Sequence, residues 1–375
     1  MKKHFSSFLT VCLLVMAHTV CAQPESSCKK LLDSFRLAGN FPGLSLAVQD
    51  GKGNSFAITS GLTDKEKNIP FLPGDAMMQG SVGKTYVAAI ALQLVKQGKI
   101  NLDEKVSRYL SHYSWYNKVP NAADVTVRML MNHSSGIMRY EFKEQFTKDL
   151  TADPGKNWSP ADLIAYVLDE KASFKAGEDW EYSDTNYILL GMIIEQVTGR
   201  KYYDLLAENI LAPFKLENTF PSTGRTLKNL VPGYAGADNV FGGQDKVINA
   251  MGQFIINPQF EWTGGGIYST TAELARWGKL LYEGKVIDTA MMIRNAVPAK
   301  LGRYTKYGLG VIIRQTALGT AYGHSGFFPG YMTEMLYFPA HGICLAIQTN
   351  SSDFRNLRVN LLNALIEIAK VVRAG

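Results

Sequence analysis

The chain has 375 residues, of which 46% are hydrophobic and 19% are charged, and its formal net charge is +6 at pH 7. This length supplies enough apolar material for one large or two moderate globular domains. The basic residues form no long run, so the charge indicates a soluble surface and argues against nucleic-acid binding.

The N-terminus has the pattern of a secretory signal peptide. Lys2 and Lys3 precede an apolar run over residues 8–20, and the small residue Ala22 follows. We predict a signal peptide over residues 1–22, cleaved before Gln23. The apolar run is too short for the expected membrane span, and no later run is long enough. Val20 also argues against a lipid anchor at the following cysteine. We therefore expect a periplasmic or secreted protein with no stable membrane anchor.

Cleavage at that point would leave two cysteines, Cys28 and Cys344. An oxidising compartment permits a disulfide between them. Two free, buried thiols are equally compatible with the sequence, because separation along the chain does not determine distance in space.

The elements expected in chain order are strands near both ends and helices between them. A helix over residues 26–40 precedes a hairpin made of Leu44–Gln49 and Ser55–Ser60, and a second helix begins near Ser81. Residues 100–260 show mostly helical patterns separated by loops. Further strands are expected at 308–315, 320–324, 331–338 and 343–349, followed by a helix over 353–372.

This order predicts an α+β fold with one antiparallel sheet built from both ends of the chain. N- and C-terminal helices would flank the sheet, and a mostly helical second lobe would be inserted. We assign residues 23–95 and 265–375 to the sheet lobe and residues 96–264 to the helical lobe. A cleft between two such lobes is the natural ligand site.

The stretch Gly80-Ser81-Val82-Gly83-Lys84-Thr85 opens the second helix. Residues three apart on a helix share a face, so Lys84 can meet the Ser81 hydroxyl. A lysine can activate a serine nucleophile if burial or a nearby cation lowers its pKa. The first N–H groups of a helix can also hold an oxyanion. The pattern alone occurs by chance in many chains.

Two later stretches offer partners for Ser81. Tyr182 precedes Ser183 and Asp184 at the start of a predicted helix, and a neighbouring Lys84 would lower its pKa toward that of a general base. The alternative is a packing tyrosine followed by a helix cap.

The second stretch is His324-Ser325-Gly326, where His324 is placed to hold a substrate carboxylate or tune a proton and glycine permits close backbone approach. The alternative is an ordinary strand histidine.

Taken together, Ser81-x-x-Lys84, Tyr182-Ser183-Asp184 and His324-Ser325-Gly326 resemble the motifs of the serine β-lactamase and D-Ala-D-Ala carboxypeptidase superfamily. Their order and spacing are similar to those of its class C-like branch. Three further stretches, at residues 130–137, 189–191 and 264–270, also resemble that branch, so the resemblance spans essentially the whole mature chain.

The resemblance implies catalytic roles for Ser81, Lys84 and Tyr182. Ser81 would be acylated, while Lys84 and Tyr182 would move its proton and activate the deacylating water. The backbone N–H groups of Ser81 and Phe327 would form the oxyanion hole.

The resemblance also places Asp184, His324, Ser325 and Gly326 in substrate binding, with His324 in the position of the lysine of a Lys-Thr-Gly motif. No cofactor or metal is implied, because the histidines show no ligand spacing. His133, in the loop after a predicted helix, is read as structural.

Asp184 is the main departure from the family pattern, which usually has Asn there. An ionised Asp accepts hydrogen bonds but cannot donate one to a substrate carbonyl. It should raise the pKa of Lys84, and the resulting ammonium would stabilise a Tyr182 phenolate. The change also weakens the case for efficient β-lactam hydrolysis.

The function expected from these features is that of an exported serine hydrolase. D-alanyl-D-alanine carboxypeptidase or D-amino-acid peptidase activity on peptidoglycan fragments or D-amino-acid peptides comes first. Alternatives are a β-lactamase-fold esterase and a class C-like β-lactamase, and the non-enzyme alternative is a slowly turning-over penicillin-binding sensor. A phosphate-binding loop is disfavoured, since Met78 stands where that motif requires glycine.

Overall fold

The computed structural model describes residues 24–237, 239 and 243–375. The predicted signal peptide and its cleavage point before Gln23 lie outside the described residues. Among the described residues, no helix is long and apolar enough to cross a membrane.

Within the described chain, nine strands form one sheet in the order β3-β2-β1-β12-β11-β10-β9-β8-β7, and its neighbouring strands pair antiparallel. A second sheet has the order β4-β6-β5. The strands are β1 (Gly43–Gln49), β2 (Ser55–Asp64), β3 (Ile69–Pro70), β4 (Ala76–Met78), β5 (Thr219–Pro221), β6 (Ile267–Thr270), β7 (Val297–Pro298), β8 (Thr305–Tyr307), β9 (Ile312–Thr316), β10 (Gly319–Phe328), β11 (Tyr331–Phe338) and β12 (Ile343–Thr349).

The α-helices of the described residues occupy both ends of the chain and most of its middle. They are α1 (24–39), α2 (Lys84–Lys96), α3 (Ser107–Leu110), α4 (Val127–Asn132), α5 (Glu144–Ala152), α6 (Pro160–Ile164), α7 (Asp184–Thr198), α8 (Tyr202–Leu206), α9 (Trp262–Gly265), α10 (Thr271–Tyr282), α11 (Thr289–Ile293) and α12 (Leu361–Ala374). The predicted fold class is therefore confirmed: an antiparallel sheet with N- and C-terminal helices and a helical insert.

The two faces of the large sheet pack against different helices because side chains alternate along each strand. On β12, Leu345 and Ile347 join the core that includes Leu365 of α12 and Leu32 of α1. Cys344 points to the opposite face and joins the core formed with α10 and α2. Cys28 belongs to the α1 side, so the sheet separates the two cysteines, and both are free and buried. Of the two arrangements open from the sequence, the structure has the unpaired one.

Several element boundaries differ from the expectation: β9 begins at Ile312 instead of residue 308, and β2 continues to Asp64 instead of ending at Ser60. β10 continues to Phe328, beyond the predicted end at His324, because it keeps pairing with β11 as far as Phe328 opposite Tyr331. The C-terminal helix begins at Leu361 instead of residue 353, since Asn360 caps it by accepting from the Asn363 N–H. The longer β10 matters for the site, because its last residues reach the turn that carries Ser81.

Candidate active site

Ser81 lies in a short 3₁₀ turn, Gly80–Gly83, between β4 and α2. Gly80 has a φ of +54° and packs directly on β10: a Cβ built there would lie 2.6 Å from the backbone nitrogen of Phe327. Glycine is therefore required both by the left-handed backbone and by this close approach. The backbone of Phe327 therefore lies beside Gly80, the residue that precedes Ser81. An oxyanion hole formed by the N–H groups of Ser81 and Phe327 requires this proximity.

Lys84 begins α2 and is completely buried. Its ammonium donates to the Ser81 Oγ at 3.1 Å, to Oδ1 of Asp184 and to the carbonyl oxygen of Gly264. These bonds use all the N–H donors that a lysine has. Burial alone would lower the pKa of Lys84, but Asp184 and Tyr182 outweigh burial and hold it above its ordinary value. Lys84 is therefore a protonated, fully engaged cation in the resting site.

Tyr182 lies beside this cation, with its ring centroid 5.0 Å from the Lys84 Nζ. Its hydroxyl is buried and has no well-aligned hydrogen-bond partner among the described residues. Burial raises the pKa of Tyr182, and Asp184 adds to the rise, while Lys84 and Ser81 oppose it without cancelling it. The expectation that Lys84 would lower the pKa of Tyr182 below its ordinary value is therefore wrong. The phenol is neutral in the resting site.

Asp184, the first residue of α7, connects two cations. Its Oδ1 accepts from Lys84 and its Oδ2 accepts from Nη2 of Arg139 at 2.8 Å. Burial would raise the pKa of Asp184, but Lys84 and Arg139 hold it well below its usual range. Asp184 is thus ionised, as the sequence predicts, and its effect on the pKa of Lys84 has the predicted direction.

Arg139 and Glu141 belong to this network but carry no motif in the sequence. Nη2 of Arg139 also lies 3.1 Å from Oε1 of Glu141, and burial together with Asp184 raises the pKa of Glu141 well above its usual range. No signal in the sequence points to Arg139 or Glu141. They follow the Asn132–Gly136 loop, and only the folded chain brings Arg139 to Asp184.

His324 is buried and both ring nitrogens are already paired. Nδ1 lies 2.6 Å from the Ser325 carbonyl oxygen, so it carries the proton, and Nε2 accepts from the Tyr307 hydroxyl at 2.8 Å. Burial, with help from Lys84 and Arg314, lowers the pKa of His324 to about 3. The neutral ring therefore has no nitrogen left for a substrate carboxylate. The ring centroid of His324 lies 6.2 Å from that of Tyr182, so His324 supports the site by packing near the phenol.

The two residues after His324 are occupied as well. The Ser325 hydroxyl accepts from Arg314 at 2.6 Å, and Arg314 is paired with Glu334 on β11. A Cβ at Gly326 would lie 1.9 Å from the Gln79 carbonyl oxygen, so this glycine lets β10 approach the serine turn. The predicted substrate-binding residues His324, Ser325 and Gly326 thus lie near Ser81. Their contacts in the structure are with other residues of the protein and support the site.

His133 packs against Tyr182, with ring centroids 4.2 Å apart. Its Nδ1 accepts from the backbone N–H of Ser183 at 3.3 Å, and burial, followed by Lys84, lowers the pKa of His133 well below its ordinary value. A neutral, fully buried ring in this position holds the loop that carries the Tyr182 phenol. The structural role predicted for His133 is therefore a specific one, namely to position the loop that carries Tyr182.

The comparisons with known proteins cover almost the whole chain. The profile of the family described as Beta-lactamase matches residues 25–367. The chain belongs to the beta-lactamase family. It is a serine hydrolase of that family, related to penicillin-binding proteins and to D-amino acid amidases.

Named relatives of this beta-lactamase-family protein include two penicillin-binding proteins. Penicillin-binding protein 4* of Bacillus subtilis (strain 168) is 25% identical over 343 residues, which is 86% of this chain and 71% of that protein. Penicillin-binding protein 4 of Amycolatopsis lactamdurans is 24% identical over 363 residues, covering 90% and 89% of the two chains.

A solved structure extends this relation to amidases. The D-amino acid amidase of Ochrobactrum anthropi SV3, complexed with L-phenylalanine amide, superposes with a TM-score of 0.80 at 25% identity. The match covers 94% of this chain and 99% of that one. These comparisons support the fold and the class of reaction, and they leave the substrate of the beta-lactamase-family protein to be inferred from its site.

Proposed function

We propose that this enzyme hydrolyses amide bonds of D-amino-acid peptides through an acyl-enzyme on Ser81, as a D-alanyl-D-alanine carboxypeptidase or D-amino-acid peptidase does. The observation that carries the proposal is the contact of the Ser81 Oγ with the Lys84 Nζ at 3.1 Å, beside the buried phenol of Tyr182. The similarity to penicillin-binding proteins and to a D-amino acid amidase supports the same class of substrate. We also propose that it acts outside the cytoplasm, on the basis of residues 1–22.

Acylation begins from a resting site in which Lys84 is an ammonium and Tyr182 is a neutral phenol. Neither group can take the serine proton in that state. Tyr182 is the one that loses its proton on activation, because the neighbouring ammonium stabilises the phenolate. The phenolate accepts the Ser81 hydroxyl proton as Oγ attacks the carbonyl carbon, and the phenol then protonates the leaving amine. The N–H groups of Ser81 and Phe327 stabilise the oxyanion.

Deacylation reverses these proton movements with water as the nucleophile. Once the amine leaves, Tyr182 is again a phenolate beside Lys84. It takes a proton from a water molecule, whose oxygen attacks the acyl carbon, and then returns the proton to the Ser81 Oγ as the ester bond breaks. The products are a carboxylic acid and the regenerated serine. Lys84 remains charged throughout, because Asp184 and the Gly264 carbonyl hold its protons.

The test compares substrates side by side on the purified enzyme and its Ser81→Ala variant. We expect the highest kcat/KM on N-acetyl-D-alanyl-D-alanine or another D-amino-acid amide, with lower values on a chromogenic cephalosporin and on 4-nitrophenyl acetate. Ser81→Ala should lower kcat by about 10⁴-fold or more, since the nucleophile acts as a unit with its partners. Mass spectrometry should show the acyl mass on the peptide that contains Ser81.

Other outcomes point to the alternative functions. Turnover of the ester alone would indicate an esterase, and preferred turnover of the cephalosporin would indicate a β-lactamase. Persistent acylation without turnover would indicate a penicillin-binding sensor. Activity that survives Ser81→Ala would refute the mechanism altogether.

A further inference from the structure

The side-chain donors closest to Ser81 are already used inside the protein. Lys84 donates to Ser81, Asp184 and Gly264. The proton on Nδ1 of His324 is directed to the Ser325 carbonyl, and its Nε2 accepts from Tyr307. A substrate that approaches Ser81 therefore finds few free donors among these groups for its polar atoms.

Arg139 differs because part of its guanidinium is unengaged. Nη2 donates to Oδ2 of Asp184 at 2.8 Å and to Oε1 of Glu141 at 3.1 Å, while Nε lies 3.4 Å from the same Oε1. Among the described residues, the Nη1 hydrogens have no hydrogen-bond partner. The side chain is 27% exposed, in contrast to the buried Lys84. A guanidinium has five N–H donors and no acceptor, so the free end of Arg139 can only bind an acceptor.

The free end of Arg139 is also held in a fixed orientation. Its guanidinium carbon lies 4.2 Å from the ring centroid of Phe142 and 5.5 Å from that of Tyr182. These rings and the carboxyl groups of Asp184 and Glu141 hold the planar guanidinium in place. Asp184 also accepts from Lys84, which in turn donates to Ser81, so Arg139 lies close to the nucleophile. A donor fixed in this way loses little freedom when it binds a ligand.

We propose that Arg139 is a substrate-binding residue whose Nη1 donates to a carbonyl oxygen on the acyl side of the scissile bond. The proposal rests on the proposed function and makes the substrate class more specific. The acyl-side carbonyl exists when the D-amino acid at the scissile bond is N-acylated, as it is inside or at the C-terminal end of a peptide. A free D-amino-acid amide instead presents an ammonium, which the arginine repels. The enzyme is thus of the carboxypeptidase type and selects against a free amino group.

Glu141 does not offset this repulsion. Its second oxygen, Oε2, is shielded from solvent and has no hydrogen-bond partner among the described residues, so it is not available to a substrate ammonium. Burial and the adjacent Asp184 raise the pKa of Glu141 well above its usual range, which disfavours the charged form that would attract an ammonium. Asp184 is a poor partner for the ammonium as well, because its side chain is buried and its single charge is already shared between Lys84 and Arg139.

The first experiment compares N-acetyl-D-phenylalanine amide with D-phenylalanine amide, which differ only in the N-acyl group. The wild-type enzyme should prefer the acylated amide. Arg139→Met keeps the aliphatic stem and removes every donor, so kcat/KM on the acylated amide should fall about ten- to hundred-fold. The value on the free amine should change little or rise. Arg276→Met, at an exposed arginine of α10 whose partner is the Lys215 carbonyl, is the matched control.

A double variant separates binding from structural support, since Arg139→Met also removes a partner of Asp184. In Arg139→Met/Asp184→Asn, the Asn amide carries no charge to compensate and can itself donate to a carbonyl. We expect this variant to recover part of the preference for the acylated amide. An equal loss on both amides in Arg139→Met, or a wild-type preference for the free amine, would overturn the proposal.

The last measurement distinguishes a failure of the Arg139 proposal from a failure of the proposed function. Calorimetry on Ser81→Ala measures binding of N-acetyl-D-phenylalanine amide without turnover, and adding Arg139→Met should weaken that binding about tenfold or more. If the wild-type enzyme turns over neither amide and also leaves N-acetyl-D-alanyl-D-alanine intact, the proposed function fails. Unchanged affinity on removal of Arg139 refutes the arginine proposal in either case.

Discussion

At the scale of single residues, Asp184 determines which groups around Ser81 are charged. It pairs with Lys84 and Arg139, so its own pKa is held well below the usual range while that of Lys84 is held above. The same negative charge adds to the effect of burial in raising the pKa of Tyr182. The reactive, phenolate form is therefore a minority species at neutral pH. Activity should depend on the loss of one proton from the Lys84–Tyr182 pair.

The pH profile tests this assignment. For the wild-type enzyme, kcat/KM should rise with pH toward the alkaline range, because deprotonation produces the reactive form. Asp184→Asn removes an anion that raises both pKa values, so the rising limb should move to lower pH, by about 1–3 units. Asp103→Asn, which removes a surface partner of Arg128, serves as the control. If the rising limb of the kcat/KM profile stays at the same pH in Asp184→Asn, the role given to Asp184 is contradicted.

How much of the site was predictable differs from residue to residue. The meeting of Ser81 and Lys84 follows from their spacing, because positions three apart share a helical face. The approach of Tyr182 to Ser81 was predicted because three motifs that lie far apart in this sequence resemble those of a known superfamily. Arg139 and Glu141 escaped prediction, since no periodic pattern describes the loop that carries them. The pKa of Tyr182 was predicted in the wrong direction because burial is a property of the fold, not of the motif.

At the scale of elements, strand β10 and the serine turn form one unit. β10 runs beside the turn, and Gly80 and Gly326 allow the two backbones to touch. The sequence indicated the strand from its alternating pattern but placed its end too early. Continuation to Phe328 depends on pairing with β11, and such pairing is non-local information that a sequence window does not contain.

The contact at Gly326 leads to a specific prediction. Gly326→Ala would place a methyl group 1.9 Å from the Gln79 carbonyl oxygen, so β10 must move away from the serine turn. Displacing the Phe327 N–H by about 1 Å should lower kcat by about a hundredfold. Gly74→Ala is the control, because a Cβ there meets no atom within 4 Å. Steady-state kinetics should be measured with thermal unfolding of both variants, and full activity in Gly326→Ala would refute the described contact.

At the scale of the whole molecule, the fold class was readable because strand patterns occur at both ends of the chain with helical patterns between them. The faces of the sheet follow from alternation: Leu345 points to one core and Cys344 to the other. The distance between Cys28 and Cys344 was not readable, because it depends on which side of the sheet α1 packs. The folded chain places them on opposite sides, which explains why both remain free.

The packing of α12 on the sheet predicts the effect of a truncation in its core. Leu365 is fully buried, so Leu365→Ala should lower the free energy of unfolding by about 2–5 kcal/mol. Leu37→Ala removes the same atoms from a side chain that is 69% exposed and should have little effect. Urea denaturation of both variants measures the difference. Similar losses of unfolding free energy in the two would show that α12 does not cover this core.

The pairing of β1 with β12 brings together the beginning and the end of the chain, with Leu46 opposite Ile347. β12 follows every other strand of the sheet in chain order, so the hairpin of β1 and β2 gains its central neighbour after all the other strands have been made. β10 reaches that hairpin only through β11 and β12. A variant truncated before β12 would lose the strands' connection between that hairpin and β10. We therefore expect it to lack acyl-transfer activity, which a hydrolysis assay of the truncated variant would check.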